Sequence, residues 1–217
     1  MDPMDPSLYL RGLAIGFAVA FALGPVGLLV IRRTIEHGWA HGFVSGLGVA
    51  TADGLYAGVA AFGLTALTSV LVGLDRLLGI AGGAVLVAMA VRGLRAVLNK
   101  GPAEAVADPE ASARRVTTRG AYATMVGLTL TNPATIISFT ALFASLGAGT
   151  GGPPGAALVT AGVASGSAAW WLLLASLVAG LRARMTPAVV RGLNVVASCV
   201  IGAFGLGAVA AGSVAGA

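Results

Sequence analysis

Long apolar runs without charged side chains restrict the fold of this sequence more than any other feature. A helix needs about 20 apolar residues to cross the roughly 30 Å of hydrocarbon in a bilayer. Only 10% of the residues are charged, whereas soluble domains have about 25%. The runs are Gly12–Ile31, Gly42–Leu74, Gly120–Leu181 and Gly192–Ala217, and the second of them contains one carboxylate. The sequence therefore predicts an all-α integral membrane protein.

The longest run, Gly120–Leu181, is too long for a single membrane helix. Its segment 149–155 reads GTGGPPG, and this density of glycine and proline is a strong turn signal. We expect the turn to divide the run into two spans, and a shorter apolar stretch from Leu77 to form another. Six spans are predicted, at 8–31, 42–67, 76–98, 120–147, 156–181 and 189–212.

The basic side chains are divided unevenly between the two predicted faces of the membrane. Of the 13 lysines and arginines, only Arg11 and Arg76 lie on one face, and the others flank the loops near 32–41, 99–119 and 182–188. Basic side chains accumulate on the cytoplasmic side of membrane proteins. We therefore expect a multi-pass protein of the cytoplasmic (inner) membrane with both termini outside. Topology accounts for the pI near 10.4, and no nucleic-acid partner is predicted.

Asp53 is the only acidic residue deep inside a predicted span. Placing a carboxylate in the bilayer is costly, so such a group indicates a functional site, often a proton relay or a counter-ion. Its helical neighbours at i−4, i+3 and i+4 are Val49, Tyr56 and Ala57. The alternative is an aspartate that only packs between helices, hydrogen-bonded to a neighbour.

The two halves of the chain show a weak internal similarity. A proline follows a small polar or glycine residue in spans one and four, at Gly24-Pro25 and Asn132-Pro133. The next span of each half carries the same spacing of small, polar and aromatic residues: Gly48, Ala52, Asp53 and Tyr56 correspond to Gly162, Gly166, Ser167 and Trp170. Three spans in each half predict inverted repeats at 1–98 and 120–217, joined by a cytoplasmic linker at 99–119.

The paired prolines predict that helices 1 and 4 are broken at Pro25 and Pro133. Asparagine is a good helix N-cap and proline suits the first helical position. A half-helix that begins inside the membrane directs its N–H groups at a ligand and favours an anion. Together with the Asp53 carboxylate this pattern suits a zwitterion such as an amino acid. The alternative is that both prolines only kink packed helices, which membrane helices tolerate.

The predicted substrate site therefore combines the two breaks with the polar positions of the following spans. We expect Asp53 also to exchange a proton for substrate, because its charge depends on whether a cation lies beside it. The predicted substrate-binding residues are Gly24, Pro25, Gly27, Asp53, Tyr56, Thr131, Asn132, Pro133, Ser167 and Trp170.

Other classes of protein are less consistent with these residues. His37 and His41 are four residues apart but have no acidic cluster beside them, and Cys199 has no second cysteine to pair with. No metal site, cofactor or enzymatic activity is predicted. Glycines at four-residue spacing, such as Gly162 and Gly166, predict close helix packing inside one subunit, with a homodimer interface as the alternative.

Over residues 8–210 the chain resembles the LysE/RhtB family of amino-acid exporters. The resemblance rests on Leu23-Gly24-Pro25, the glycine-rich stretch Gly38–Asp53, Ala61-Phe62-Gly63-Leu64 and Asn132-Pro133. It implies six helices in inverted repeats and efflux of amino acids or related metabolites, driven by the proton gradient. The partners it implies are a small amino acid, protons and the lipid bilayer.

This sequence also departs from the family pattern. Leu23 stands where members often have proline, and the segment 134–139 lacks the histidine and further aspartate often found in exporters of basic amino acids. Small neutral amino acids therefore fit better than lysine or arginine. The alternative function is export of divalent metal ions, as in related members of the superfamily, which would require several intramembrane ligands.

Overall fold

The computed structural model describes residues 5–21, 24–62, 75–99, 117–132, 135, 139, 152–182 and 184–214. Over these residues all of the regular secondary structure is helical, as predicted. The helices are α1 (Pro6–Phe21), α2 (Pro25–His37), α3 (Trp39–Ala61), α4 (Asp75–Asn99), α5 (Thr118–Leu130), α6 (Pro153–Arg182) and α7 (Pro187–Val214).

Three of these helices contain segments long and apolar enough to cross a bilayer. They are Trp39–Ala61, Pro153–Arg182 and Ala188–Ala211, and the bent pair α1 and α2 passes the same test when it is taken together. The protein is therefore a multi-pass helical membrane protein. The arrangement as six spans in two inverted repeats stays a prediction.

The first predicted span is divided at the expected place. Helix α1 ends at Phe21, α2 begins at Pro25, and the axes of the two helices are bent by 79°. Gly24 is the N-cap with extended backbone angles, and its carbonyl accepts a hydrogen bond from Leu28 N–H at 3.3 Å. Proline at the first helical position costs no helical hydrogen bond, because the backbone N–H of any other residue at this position would have no intrahelical acceptor. The second predicted break, at Pro133, lies outside the described residues.

The expectation of a loop at 32–41 is wrong. Helix α2 continues to His37 and α3 begins at Trp39, so only Gly38 separates them. Gly38 has φ +89°, a conformation that L side chains rarely adopt and glycine adopts readily. The apolar run ends at the first arginine, but the helix continues because the arginine side chains find acceptors on neighbouring helices.

Glycines bring α1 and α6 into backbone contact. A Cβ atom built on Gly12 or Gly16 would collide with the carbonyl oxygen of Val159 or Val163, respectively. On the opposite helix, a Cβ on Gly166 would collide with the carbonyl oxygen of Leu13. The four-residue spacing of glycine on α6 therefore serves packing inside one subunit, as predicted.

The helices form two packed units with α2 between them. Helix α6 packs against both α1 and α3, and α3 packs against α5; we call these four the core helices. Helices α4 and α7, here the scaffold pair, lie along each other where Gly83 and Gly205 face one another's carbonyl oxygens. Helix α2 contacts the core helices α3 and α6 on one side and α7 on the other.

We predict that Gly166→Ala lowers the melting temperature of the purified protein, because the added methyl group must displace the backbone of α1. Overpacking of this kind costs about 1–3 kcal/mol. Gly180→Ala on the same helix is the matched control, since nothing lies within 4 Å of a Cβ at that position. Equal melting temperatures for the two variants in detergent would contradict the close α1–α6 packing.

Candidate functional site

Asp53 lies inside the bundle at the contact between α3 and α6. Its side chain is buried, with the residue only 2% exposed, and Ser167 Oγ donates a 2.7 Å hydrogen bond to its Oδ2 atom. Ser167 in turn accepts a 3.2 Å hydrogen bond from Trp171 Nε1. The structure thus joins two positions that the internal similarity had matched, Asp53 and Ser167, in a direct contact.

Small residues allow this carboxylate to be enclosed. Ala52 and Ala57 on α3 are fully buried, and Gly46 leaves room for the Trp171 ring, which a Cβ at that position would strike. The donors that reach Asp53 directly and through Ser167 are neutral. Trp171 was not predicted as a site residue, although its place four residues after Ser167 puts it on the same face of α6.

Tyr56 lies one helical turn beyond Asp53 and reaches the end of α5. Its hydroxyl donates a 2.6 Å hydrogen bond to the carbonyl oxygen of Leu130, the last residue of α5. The last carbonyl groups of a helix have no intrahelical partner, so a side-chain donor stabilises the end of α5. Its ring also stacks on Phe139, with the ring centroids 5.7 Å apart. Tyr56 therefore connects the helix of the buried carboxylate to the end of α5.

A cavity of about 510 Å³ lies between the core helices and the scaffold pair. It is bounded by the first residues of α2 and by Thr131 and Asn132, which follow α5. The rest of its wall is largely apolar. The residues that line it are Pro25, Val26, Gly82, Gly83, Leu86, Leu128, Thr131, Asn132, Ala203, Phe204, Gly207 and Ala208.

The structure separates the predicted substrate-binding residues into two groups. Pro25, Thr131 and Asn132 line the cavity, with Gly24 and Gly27 beside them in sequence, whereas Asp53 and Ser167 form the buried cluster. Tyr56 bridges the two through Leu130. Trp170 belongs to neither group. Pro133, the tenth residue predicted, lies outside the described residues.

Trp170 packs against α1 near the first helix break. Its ring meets those of Phe17 and Phe21 edge-on, at centroid distances of 5.4 and 4.8 Å. Its Nε1 atom and the Oγ1 atom of Thr129 are both buried and have no hydrogen-bond partner among the described residues. Buried polar atoms normally have a partner, so these two are available to water or to a ligand.

Arg33 is a buried cation that the sequence did not reveal. Its Nη1 atom donates to Ser45 Oγ at 3.0 Å and to the Ala121 carbonyl oxygen at 2.8 Å. From its place in the sequence, Arg33 was expected only to be a topological charge at the end of a span. Its position on the inward side of α2 depends on how that helix is rotated in the bundle.

The two histidines are close together, with the rings of His37 and His41 5.4 Å apart. The described part of the chain contains no group of three histidine, cysteine, aspartate or glutamate side chains that could hold a metal ion.

A broken membrane helix, a cavity at the break and a buried carboxylate are together characteristic of secondary transporters. The LysE type translocator family model matches residues 17–212, and the chain therefore belongs to this family of transporters. A 59-residue segment is 36% identical to a Bacillus subtilis (strain 168) protein named "Putative amino acid efflux protein YcgF". That match spans 27% of this chain and only 28% of the relative. No solved structure matches the chain.

We predict that Ser167→Ala destabilises the protein by about 1–3 kcal/mol, because a buried carboxylate loses its donor. Thermal unfolding in detergent measures the effect. Ser176→Ala on the exposed face of α6 is the control, because it also removes a serine that accepts a hydrogen bond from a tryptophan, Trp39 Nε1 at 3.1 Å, but at an exposed position. In an Asp53→Asn background the effect of Ser167→Ala is expected to shrink, because contacting residues are energetically coupled. Additive effects would show that the two side chains do not depend on one another.

Proposed function

We propose that this protein is a secondary transporter that exports small zwitterionic amino acids or related metabolites across the cytoplasmic membrane in exchange for protons. The observation that carries the proposal is the pair of helix ends at the cavity. The N-terminus of α2 contributes Pro25 and Val26, and the C-terminal end of α5 contributes Leu128 and Thr131. A cavity with both kinds of helix end presents partial charges of both signs.

The substrate carboxylate is proposed to lie at the N-terminus of α2. The cap residue, Gly24, has no side chain that occupies the first N–H groups. The first N–H groups of a helix have no intrahelical acceptor, so those of Val26 and Gly27 are free to bind an anion.

The substrate ammonium is proposed to lie at the opposite side of the cavity, near Thr131 and Asn132. The end of α5 carries partial negative charge, and side-chain oxygens at these positions are suitable acceptors. This assignment replaces two expectations. The first is that a helix start at Asn132-Pro133 binds an anion, since the described end at this point is the C-terminal end of α5. The second is that Asp53 binds the ammonium directly, because Asp53 is buried on the α6 side of α3 and is not among the described cavity residues. The volume of the cavity is in the range of small-molecule sites.

Asp53 is proposed to carry the coupling proton. A carboxylate whose direct donor is the neutral Ser167 can exist in either protonation state without a fixed counter-ion. A change in its charge acts on α3, and Tyr56 on the same helix holds the end of α5 at the cavity. Proton binding and substrate binding are thus linked through one helix rather than by competition for one carboxylate.

The contacts between the two halves support the proposed inverted repeats at 1–98 and 120–217. Asp53 meets its counterpart Ser167. Gly48 on α3 lies against the carbonyl oxygen of Tyr122 in α5, and its counterpart Gly162 on α6 lies against that of Tyr9 in α1. Each of these two corresponding glycines therefore packs against the first helix of the opposite half, as a pseudo-two-fold axis in the membrane plane requires.

Efflux from loaded proteoliposomes tests the substrate and its coupling to protons. We predict that vesicles loaded with small neutral amino acids release them faster when the outside is made more acidic than the inside, because protons then enter as the substrate leaves. Asp53→Asn is expected to abolish this acceleration. The variant keeps the shape of the side chain but cannot titrate. Thr51→Ala, at an exposed position of the same helix, is the control, because it removes a hydroxyl that hydrogen-bonds to Tyr122 but no titratable group.

Wild-type pH coupling in Asp53→Asn would contradict the role of Asp53 while leaving the substrate assignment intact. Release of divalent metal ions and not of amino acids, from vesicles loaded with both, would support the alternative function.

We predict that residues 184–188 face the cytoplasm and that both termini face outside. Thr186→Cys in a Cys199→Ala background places a single thiol on this exposed segment. A membrane-impermeant maleimide is expected to label it in inverted vesicles and not in intact cells, whereas Ser7→Cys is expected to show the reverse pattern. Labelling of Thr186→Cys in intact cells would overturn this orientation.

A further inference from the structure

Helix α2 has the cavity at one end and two consecutive arginines toward the other. Its first residues, Pro25 and Val26, line the cavity. Arg32 lies seven residues further along, which is about 10 Å at 1.5 Å per residue. Consecutive residues on a helix point about 100° apart, so Arg32 and Arg33 leave α2 in different directions.

Arg33 connects α2 to the core helices. Its Nη1 atom donates to Ser45 Oγ on α3 and to the Ala121 carbonyl oxygen on α5, and the residue is only 7% exposed. Hydrogen bonds from a charged donor in a buried place are stronger than those between neutral groups. Both acceptors are neutral, so the contact can be released without separating an ion pair.

Arg32 connects α2 to the scaffold pair. Its Nε atom is 2.8 Å from Glu36 Oε1 on the same helix, and its Nη1 atom lies 3.5 Å from Ser198 Oγ on α7. A Cβ atom built on Gly93 of α4 would collide with this guanidinium group. The Arg32 side chain is therefore inserted between the two helices of the scaffold pair.

We propose that Arg32 and Arg33 form a gate that closes the cavity at the end of the bundle where α2 terminates. The two side chains hold the core helices and the scaffold pair against the same turn of α2. Separation of the two units at this end requires loss of the Arg33 contacts, the Arg32 contacts or both. The proposal rests on the proposed transport function and identifies the residues that control access to its binding cavity.

Thiol labelling tests the gate without any substrate, so its failure is distinguishable from failure of the amino-acid assignment. Leu128→Cys in a Cys199→Ala background places a reporter thiol in the cavity, two helical turns along α5 from Ala121. Adding Arg33→Gln is expected to raise the rate of labelling by an impermeant maleimide at least about tenfold, since two hydrogen bonds to a buried charge are lost. The increase is expected only from the face of the membrane that exposes residue 186.

Two further variants separate gating from general loosening of the bundle. Arg33→Lys keeps the charge and one nitrogen that can donate to both acceptors, as Nη1 of Arg33 does, and it is expected to return the rate toward that of the unsubstituted reporter. Arg184→Gln, an exposed arginine near the same end of the bundle, is the matched control and is expected to leave the rate unchanged.

An unchanged rate in Arg33→Gln would overturn the gate, as would equal acceleration from both faces or by Arg184→Gln. If Arg33→Gln does not reach the membrane, Ser45→Ala removes one of the two acceptors and is expected to accelerate labelling from the same face by a smaller factor. Wild-type labelling in correctly inserted Ser45→Ala would then overturn the proposal.

Discussion

A bilayer offers no hydrogen bonds to the polypeptide backbone, so every interruption of a helix must be satisfied by the protein itself. Where α5 ends, Tyr56 donates to the Leu130 carbonyl oxygen, and the Asn132 N–H donates to the Thr129 carbonyl oxygen at 3.2 Å. Where α2 begins, proline occupies the position whose N–H would have no partner. Both helix ends lie at the same cavity, where a bound ligand can satisfy the groups that remain.

Close packing through glycine makes the rest of this arrangement possible. The backbones of α1 and α6 touch at Gly16 and Gly166, which positions α6 to place Ser167 on the Asp53 carboxylate. A larger residue at these glycines would push α6 away from α1 and so change the position of Ser167 relative to the Asp53 carboxylate. The same packing keeps Asp53 away from the cavity, so that proton and substrate have separate places in the proposed mechanism.

Helix α2 lies where the cavity and the two packed units meet. It borders the cavity at its N-terminus and contacts both packed units along its length. A helix in this position can move with either unit, depending on which of its side-chain contacts is kept. Two packed units with a cavity between them are an arrangement compatible with alternating access by rigid-body rocking.

The sequence by itself determined the membrane class, the start of a helix at Pro25, the burial of Asp53 and the close packing at Gly166. Each of these follows from a local property: the length of an apolar run, the missing N–H of proline, the position of a charge within a span, or the spacing of small residues. The family resemblance found in the sequence also agreed with the family match.

Only the tertiary structure decided what those residues contact. The burial of Arg33, the continuation of α2 through the expected loop, the role of Trp171 and the separation of Asp53 from the cavity were not evident from the sequence. Asp53 and Ser167 are 114 positions apart, and Arg33 and Ala121 are 88 apart. Such contacts depend on how each helix is rotated and how closely it approaches its neighbour, whereas hydropathy and spacing describe only one helix at a time.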